Sequence, residues 1–200
     1  MENKTNIILV CEGNRHRSKV AEYLLIENLG IFGRRRFNIS SAGINVLWDG
    51  VQEGSWDKNV VELLNKKGIK VNGDTGARQL LAPNLLEQDL ILTFNSNLER
   101  RLKMFVKKSD LSQTNEKVSS IANYLQKPGE YDLENPNELI QYTECDSAMF
   151  RVGRATWRRP FQRYVHPNDD KLIVKMYGKY LYKPLEKQMR LVAKKLKKDF

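Results

Sequence analysis

The sequence predicts an α/β domain built on a parallel sheet with helices on both faces. Three observations carry this. Short apolar, β-branched runs are bounded by turn residues, as expected of strands buried on both sides. The segments between them show apolar residues at helical spacing. The two kinds of segment then alternate from residue 6 to about residue 121, the pattern of βα units that wind a parallel sheet.

The first strand is Ile7–Val10 with Asn6 (6–10). A loop at 11–18 follows, and then a helix at 18–29, whose Val20, Ala21, Leu24, Leu25 and Leu29 fall on one face. A second strand covers about 37–41 and a second helix 57–67. DLILT at 89–93 is a third strand, a helix runs from about 96 to 106, and 117–121 is a fourth strand. Residues 125–170 read as loops and short helices, because Pro128, Pro136, Pro160 and Pro167 interrupt regular structure. The final segment is a helix with Pro184 in its first turn and Leu185, Met189, Val192 and Leu196 along one face, expected to close on the domain.

Composition narrows the class. Two hundred residues at 40% hydrophobic content suit one α/β domain with an extension. No apolar run approaches the roughly 20 residues that span a bilayer, and the start of the chain lacks a charged-then-apolar export pattern. Cys11 and Cys145 stand too far apart to make a disulfide framework, which points to a reducing cytoplasm. The net charge of +10 is uneven: residues 151–200 hold 15 Lys and Arg against 4 Asp and Glu, whereas the first 150 hold 19 against 20. The expected division is therefore a near-neutral body, 1–150, and a basic, aromatic-rich extension, 151–200. In that extension Trp157, Arg158, Arg159, Phe161, Arg163 and Tyr164, then Tyr177, Tyr180 and Tyr182 among lysines, interleave rings with cations. This texture suits single-stranded nucleic acid, an anionic surface or an acidic partner, although a solvated basic face with core aromatics explains it equally simply.

The chemistry concentrates in CEGNRHRS, Cys11 to Ser18. Gly13 and Asn14 tolerate positive φ. A strand, a short loop and a helix N-terminus together aim several backbone N–H groups at one point, where an anion can sit. A cysteine at the mouth of that loop has its thiolate stabilised by the same field and can act as a nucleophile. Arg17 can clamp two phosphate oxygens with its planar fork. The bland alternative is a small buried cysteine at a strand end and a solvated helical arginine, but strand, loop, helix, Gly-Asn and Arg-Ser together favour the phosphate cradle.

CEGNRHRS resembles the phosphate-binding loop of the low-molecular-weight protein tyrosine phosphatases. The likeness continues through SSAGI (Ser40 to Ile44), Trp48, NVVELLNKKGI, GARQL (Gly76 to Leu80) and DLILTFNSNLERRL (Asp89 to Leu102), in the family's order and over roughly the first 125 residues. NRHRS and the acidic PGEYDLENPNELI are closest to a subgroup of small predicted tyrosine phosphatases. The resemblance implies a four-stranded sheet in the order 2-1-3-4, with the loop after the first strand at the topological switch point. It implies a cysteine-dependent phosphatase acting on phosphotyrosine or another phosphomonoester, with neither metal nor cofactor. Cys11 would attack phosphorus. Glu12, Gly13, Asn14, Arg15, His16, Arg17 and Ser18 would bind the phosphoryl group, Asn14 holding the loop in shape and Ser18 donating to the thiolate. Trp48 and Lys19 would line the substrate rim. His16 and Lys19 stand where a second cysteine and a proline are usual, so no vicinal disulfide can protect Cys11 from oxidation.

The general acid is the departure. The family's late Asp-Pro pair aligns with Asn135-Pro136, and an amide cannot deliver the proton. Asp132 is the first candidate to replace it, with Glu134, Asp169 and Asp170 as others. The alternative function is a catalytically weak phosphate- or nucleic-acid-binding protein on the same fold. An arsenate reductase would need resolving cysteines, for which Cys145 alone is a poor supply.

Overall fold

The computed structural model describes residues 4–46, 54, 57–71, 76–108, 111–127, 174–175 and 177–200. Four strands, β1 (Thr5–Cys11), β2 (Phe37–Gly43), β3 (Leu90–Thr93) and β4 (Val118–Ser120), form one sheet in the order β2-β1-β3-β4, every neighbouring pair parallel. The order and direction are those the sequence and the family resemblance imply. β1 lies at the point where the order reverses, so the loop at its carboxyl end opens into the crevice where ligands of open α/β sheets bind.

The alternation of side chains along β1 builds the core on both faces. Ile7 and Leu9 point to one side, into a cluster with Val20, Leu24 and Leu25 of helix α1 (Arg17–Arg36) and Val60, Leu63 and Leu64 of α2 (Lys58–Lys66). Ile8 and Val10 point to the other, where Ile91, Leu85 of α3 (Ala82–Leu86) and Leu102 and Val106 of α4 (Ser96–Lys108) meet them. α1 runs past the expected end at 29 and is broken at Gly30, which takes φ 67°, a conformation that costs other residues strain. A 3₁₀ turn (Ser112–Lys117) leads into β4, and α5 (Ile121–Tyr124) follows. Near the end, a π turn (Gly178–Tyr182) enters α6 (Lys183–Asp199).

As expected, α6 closes on the body: Leu185, Met189, Val192 and Leu196 are fully buried in the same cluster as α1. One expectation for this region does not hold. Tyr177 and Tyr182 are not surface rings offered to bases, because both are buried in that core, Tyr182 beneath the Lys67 ammonium at 5.1 Å. Most of the basic aromatic stretch (157–164) and Tyr180's side chain lie outside the described residues. None of the helices among the described residues is long and apolar enough to cross a membrane.

Candidate active site

Cys11 is the last residue of β1 and only 3% exposed. Three groups converge on the loop behind it. Ser18, in the first turn of α1, places Oγ 2.9 Å from Cys11 Sγ, and the Asn14 backbone N–H donates to the same sulfur at 3.3 Å. Asn14 takes φ 49°, the left-handed conformation that asparagine tolerates better than most residues. Its side chain is wholly buried and satisfied at both ends. Nδ2 donates to Ser18 Oγ (2.7 Å) and to Ser41 Oγ (2.8 Å), while Oδ1 accepts from the Arg78 backbone N–H (2.8 Å). Arg17 opens α1 and is 6% exposed.

The loop is braced by its neighbours as well as by itself. The Ile44 and Asn45 N–H groups donate to the carbonyls of Cys11 and Glu12, both at 3.0 Å. Gly43 bridges to the 76–80 segment, donating to Arg78 O and accepting from the Leu80 N–H. No side chain fits at Gly43: a Cβ there would stand 2.5 Å from Glu12 O and 2.8 Å from Asn14 N. Glu12 is gripped by Arg101 of α4, Nη1 to Oε2 at 2.7 Å and Nη2 to Oε1 at 2.9 Å, and also accepts from Asn45 Nδ2. A bidentate fork of this kind fixes geometry more than it stabilises, since both groups are partly solvated.

His16 reaches the C-terminal segment. Its Nε2 lies 3.0 Å from Asp57 Oδ2 and 3.0 Å from the Tyr177 hydroxyl, and its ring meets that of Tyr177 edge-on at 5.2 Å. Asp57 also caps α2, Oδ1 accepting from the Asn59 and Val60 N–H groups, and has Arg15 at 3.8 Å. Burial alone would raise the Asp57 pKa, but the His16 hydrogen bond and charge, with the two cap N–H groups, hold it below the ordinary value. Tyr177 is pushed well above the usual phenol range, first by burial and then by the Asp57 charge, which Arg15 partly offsets.

Of the predicted residues, Cys11, Asn14 and Ser18 are in mutual contact, and Glu12, Arg15, His16 and Arg17 occupy the loop and the helix start. Lys19 is a correction. It does not line a rim: it is 1% exposed, turned inward to pair with Glu22 at 3.2 Å, because its place in the first turn of α1 faces the core behind the loop. Trp48, Asp132, Glu134, Asn135, Cys145, Asp169 and Asp170 lie outside the described residues. Sequence reasoning passed over Glu22, Ser41, Asp57 and Arg101, and took Tyr177 for a ring of the basic extension rather than a neighbour of the phosphate loop. Glu22 carried a usable signal, a carboxylate in an otherwise apolar stretch of helix, and Asp57 another, an acidic residue just ahead of an amphipathic helix.

Sheet order, switch-point loop and buried cysteine define a phosphatase of the cysteine-dependent class. The chain belongs to the low-molecular-weight phosphotyrosine protein phosphatase family, whose model matches residues 6–154. It is 31% identical over 137 residues to low molecular weight phosphotyrosine protein phosphatase 2 of Drosophila melanogaster, covering 66% of this chain and 76% of that one. Its fold is similar to the YwlE arginine phosphatase of Geobacillus stearothermophilus (TM-score 0.63, 20% identity, 98% of this chain and 94% of that). It is also similar to a protein tyrosine phosphatase of Entamoeba histolytica (TM-score 0.65, 14% identity, 98% and 97%). At those identities the two structures speak for the fold alone.

Proposed function

We propose that the protein hydrolyses phosphotyrosine on protein substrates, with Cys11 as nucleophile and Asp132 as general acid, in the cytoplasm. The observation that carries the reading is the pair of polar contacts on Cys11 Sγ, one with Ser18 Oγ at 2.9 Å and one from the donating Asn14 N–H at 3.3 Å, at the switch point of the sheet. Hydrogen bonds to a thiolate favour it over the thiol.

In the first step the Cys11 sulfur bonds to phosphorus as the bond from phosphorus to the phenolic oxygen breaks, and the departing oxygen takes a proton from the acid. Little covalent help is needed from the rest of the site, since phosphoryl transfer is governed by positioning and charge stabilisation. Loop N–H groups from Glu12 to Arg17 and the Arg17 guanidinium supply it to the equatorial oxygens. In the second step water gives a proton to the Asp132 carboxylate as its oxygen bonds to phosphorus and the bond from phosphorus to the Cys11 sulfur breaks. Inorganic phosphate leaves, and Ser18 steadies the returning thiolate. Asp132 takes the acid's role because the usual Asp-Pro position holds Asn135, with Glu134, Asp169 and Asp170 as its competitors.

Hydrolysis of p-nitrophenyl phosphate separates nucleophile from acid, since its leaving group needs little protonation. Cys11→Ser is expected to abolish turnover. Asp132→Ala is expected to cost roughly 10²–10⁴-fold on phosphotyrosine peptides and far less on p-nitrophenyl phosphate. Turnover that survives Cys11→Ser in folded protein overturns the mechanism, and equal losses on both substrates remove Asp132 from the acid's role.

A further inference from the structure

Beneath the phosphate loop a chain of hydrogen bonds runs from a buried ion pair to the nucleophile. Lys19 Nζ donates to Glu22 Oε2 at 3.2 Å, and Ser41 Oγ donates to the same oxygen at 2.6 Å. Asn14 Nδ2 donates to Ser41 Oγ and to Ser18 Oγ, and Ser18 Oγ lies 2.9 Å from Cys11 Sγ. All six residues are nine-tenths or more buried.

The direction of the chain follows from the donor and acceptor inventory. An ammonium has only hydrogens to give, so Glu22 Oε2 is held as an acceptor, and the Ser41 hydrogen points at it. The face of Ser41 Oγ turned to Asn14 must then accept, which suits an amide NH₂ group. The Asn14 amide cannot turn over, because its oxygen is committed to the Arg78 N–H. Its second hydrogen goes to Ser18 Oγ, and among the described residues the partner left in reach of the Ser18 hydrogen is Cys11 Sγ.

We propose that Lys19, through Glu22 and Ser41, is a positioning residue that orients the Ser18 hydroxyl as a donor to the Cys11 thiolate. This rests on the reading of Cys11 as nucleophile. Such a role accounts for a lysine kept out of water, which is otherwise a costly choice. Burial lowers the Lys19 pKa; Glu22 opposes that, Arg78 adds to it, and the Cys11 charge raises it slightly.

The test reads the thiolate directly, as the pH dependence of Cys11 alkylation by iodoacetamide, with protection by inorganic phosphate confirming the site. Lys19→Met is expected to move the inflection upward by about one pH unit, a tenfold loss of thiolate on the acid side. kcat on p-nitrophenyl phosphate should fall with it while KM changes little, since Arg17 and the loop amides remain. Lys19→Met leaves a carboxylate buried alone and can fail to fold, so Lys19→Met/Glu22→Leu carries the argument. Replacing a buried pair with apolar groups is often neutral or stabilising. A merely structural pair would therefore give a double variant with the wild-type inflection, and that result overturns the proposal. The positioning role requires the inflection to stay raised in the double variant, and Ser41→Ala to match it. Wild-type protein that alkylates as expected but turns over no phosphoester would sink the phosphatase mechanism and leave this inference standing.

Discussion

Asn14 has four chances to form side-chain hydrogen bonds and three of them hold the loop, two to serines and one to the backbone at Arg78. Asn14→Ala would strip these together and put a β-carbon-only residue at φ 49°, where asparagine is favoured. The expected cost is about 2–4 kcal/mol of stability, from lost buried hydrogen bonds and backbone strain together, with turnover falling at least tenfold. Chemical denaturation beside steady-state kinetics would check it; an active, fully stable variant would show that the loop keeps its shape unaided. At this scale the sequence was readable where chemistry is local. Cys11, Asn14, Arg17 and Ser18 lie within eight residues, so strand, turn and helix signals confine them to one spot. Ser41 was not readable, because its partners Glu22 and Asn14 are fixed by the crossing of β2 behind α1 and no local spacing encodes that. Lys19 was misread as a rim residue because it follows a charged loop, whereas the phase of α1 turns it inward to Glu22.

Elements are joined by a few buried polar contacts, and Glu99 is the clearest. From α4 it accepts from the Ser120 N–H at the end of β4 (2.8 Å), from Asn123 Nδ2 of α5 (2.7 Å) and from Lys103 Nζ (2.6 Å). Burial would raise its pKa, but the Lys103, Ser120 and Asn123 donors outweigh burial and hold it below the ordinary carboxylate value. Asp57, at the head of α2, is depressed likewise. A carboxyl whose folded pKa is depressed stabilises the fold above its unfolded value of about 4 and loses that contribution as pH falls through the folded pKa. Stability is therefore expected to be level on the neutral side and to decline below about pH 4. Glu99→Gln should cost about 1–3 kcal/mol at pH 7, because an amide cannot accept from all three donors, and should flatten the acid decline. Urea midpoints at neutral pH and near pH 4 would measure both; a variant as acid-sensitive as the wild type would clear Glu99 of the role. The four strands, α1, α2, α4 and α6 were legible from their periods, and boundaries moved by a few residues; the short α3 and α5 were not anticipated. The larger change was in α1, where Gly30 breaks the helix without ending it, so Arg34 to Arg36 extend it up to β2.

The molecule as a whole separates what the charge pattern suggested from what the packing does. A basic, aromatic C-terminal quarter invited a reading as a binding surface. Part of that quarter is core instead: Tyr177, Leu181, Tyr182 and the apolar face of α6 fill the same cluster as β1 and α1, and the lysines are what is left on the outside. Amphipathic spacing made α6 itself legible, but nothing in the sequence indicates that Tyr177 meets His16, 161 positions away.

That contact bears on how the protein could be taken apart. The sheet is finished by Ser120, yet the rear of the phosphate loop is propped by a tyrosine from beyond residue 170, delivered by a helix whose Leu185, Met189, Val192 and Leu196 are wholly buried. Chemically this is a host and a plug that share a backbone. Joining them in one chain contributes effective concentration, which a free partner can replace at sufficient dose. Produced as two polypeptides divided after Lys127, the halves should find each other, and phosphatase activity should follow a saturable titration of one against the other. Tyr177→Phe in the second piece should leave that association intact and lower the activity reached at saturation. A phosphatase assembled in this way would act as a coincidence detector, silent until both pieces are present in one place.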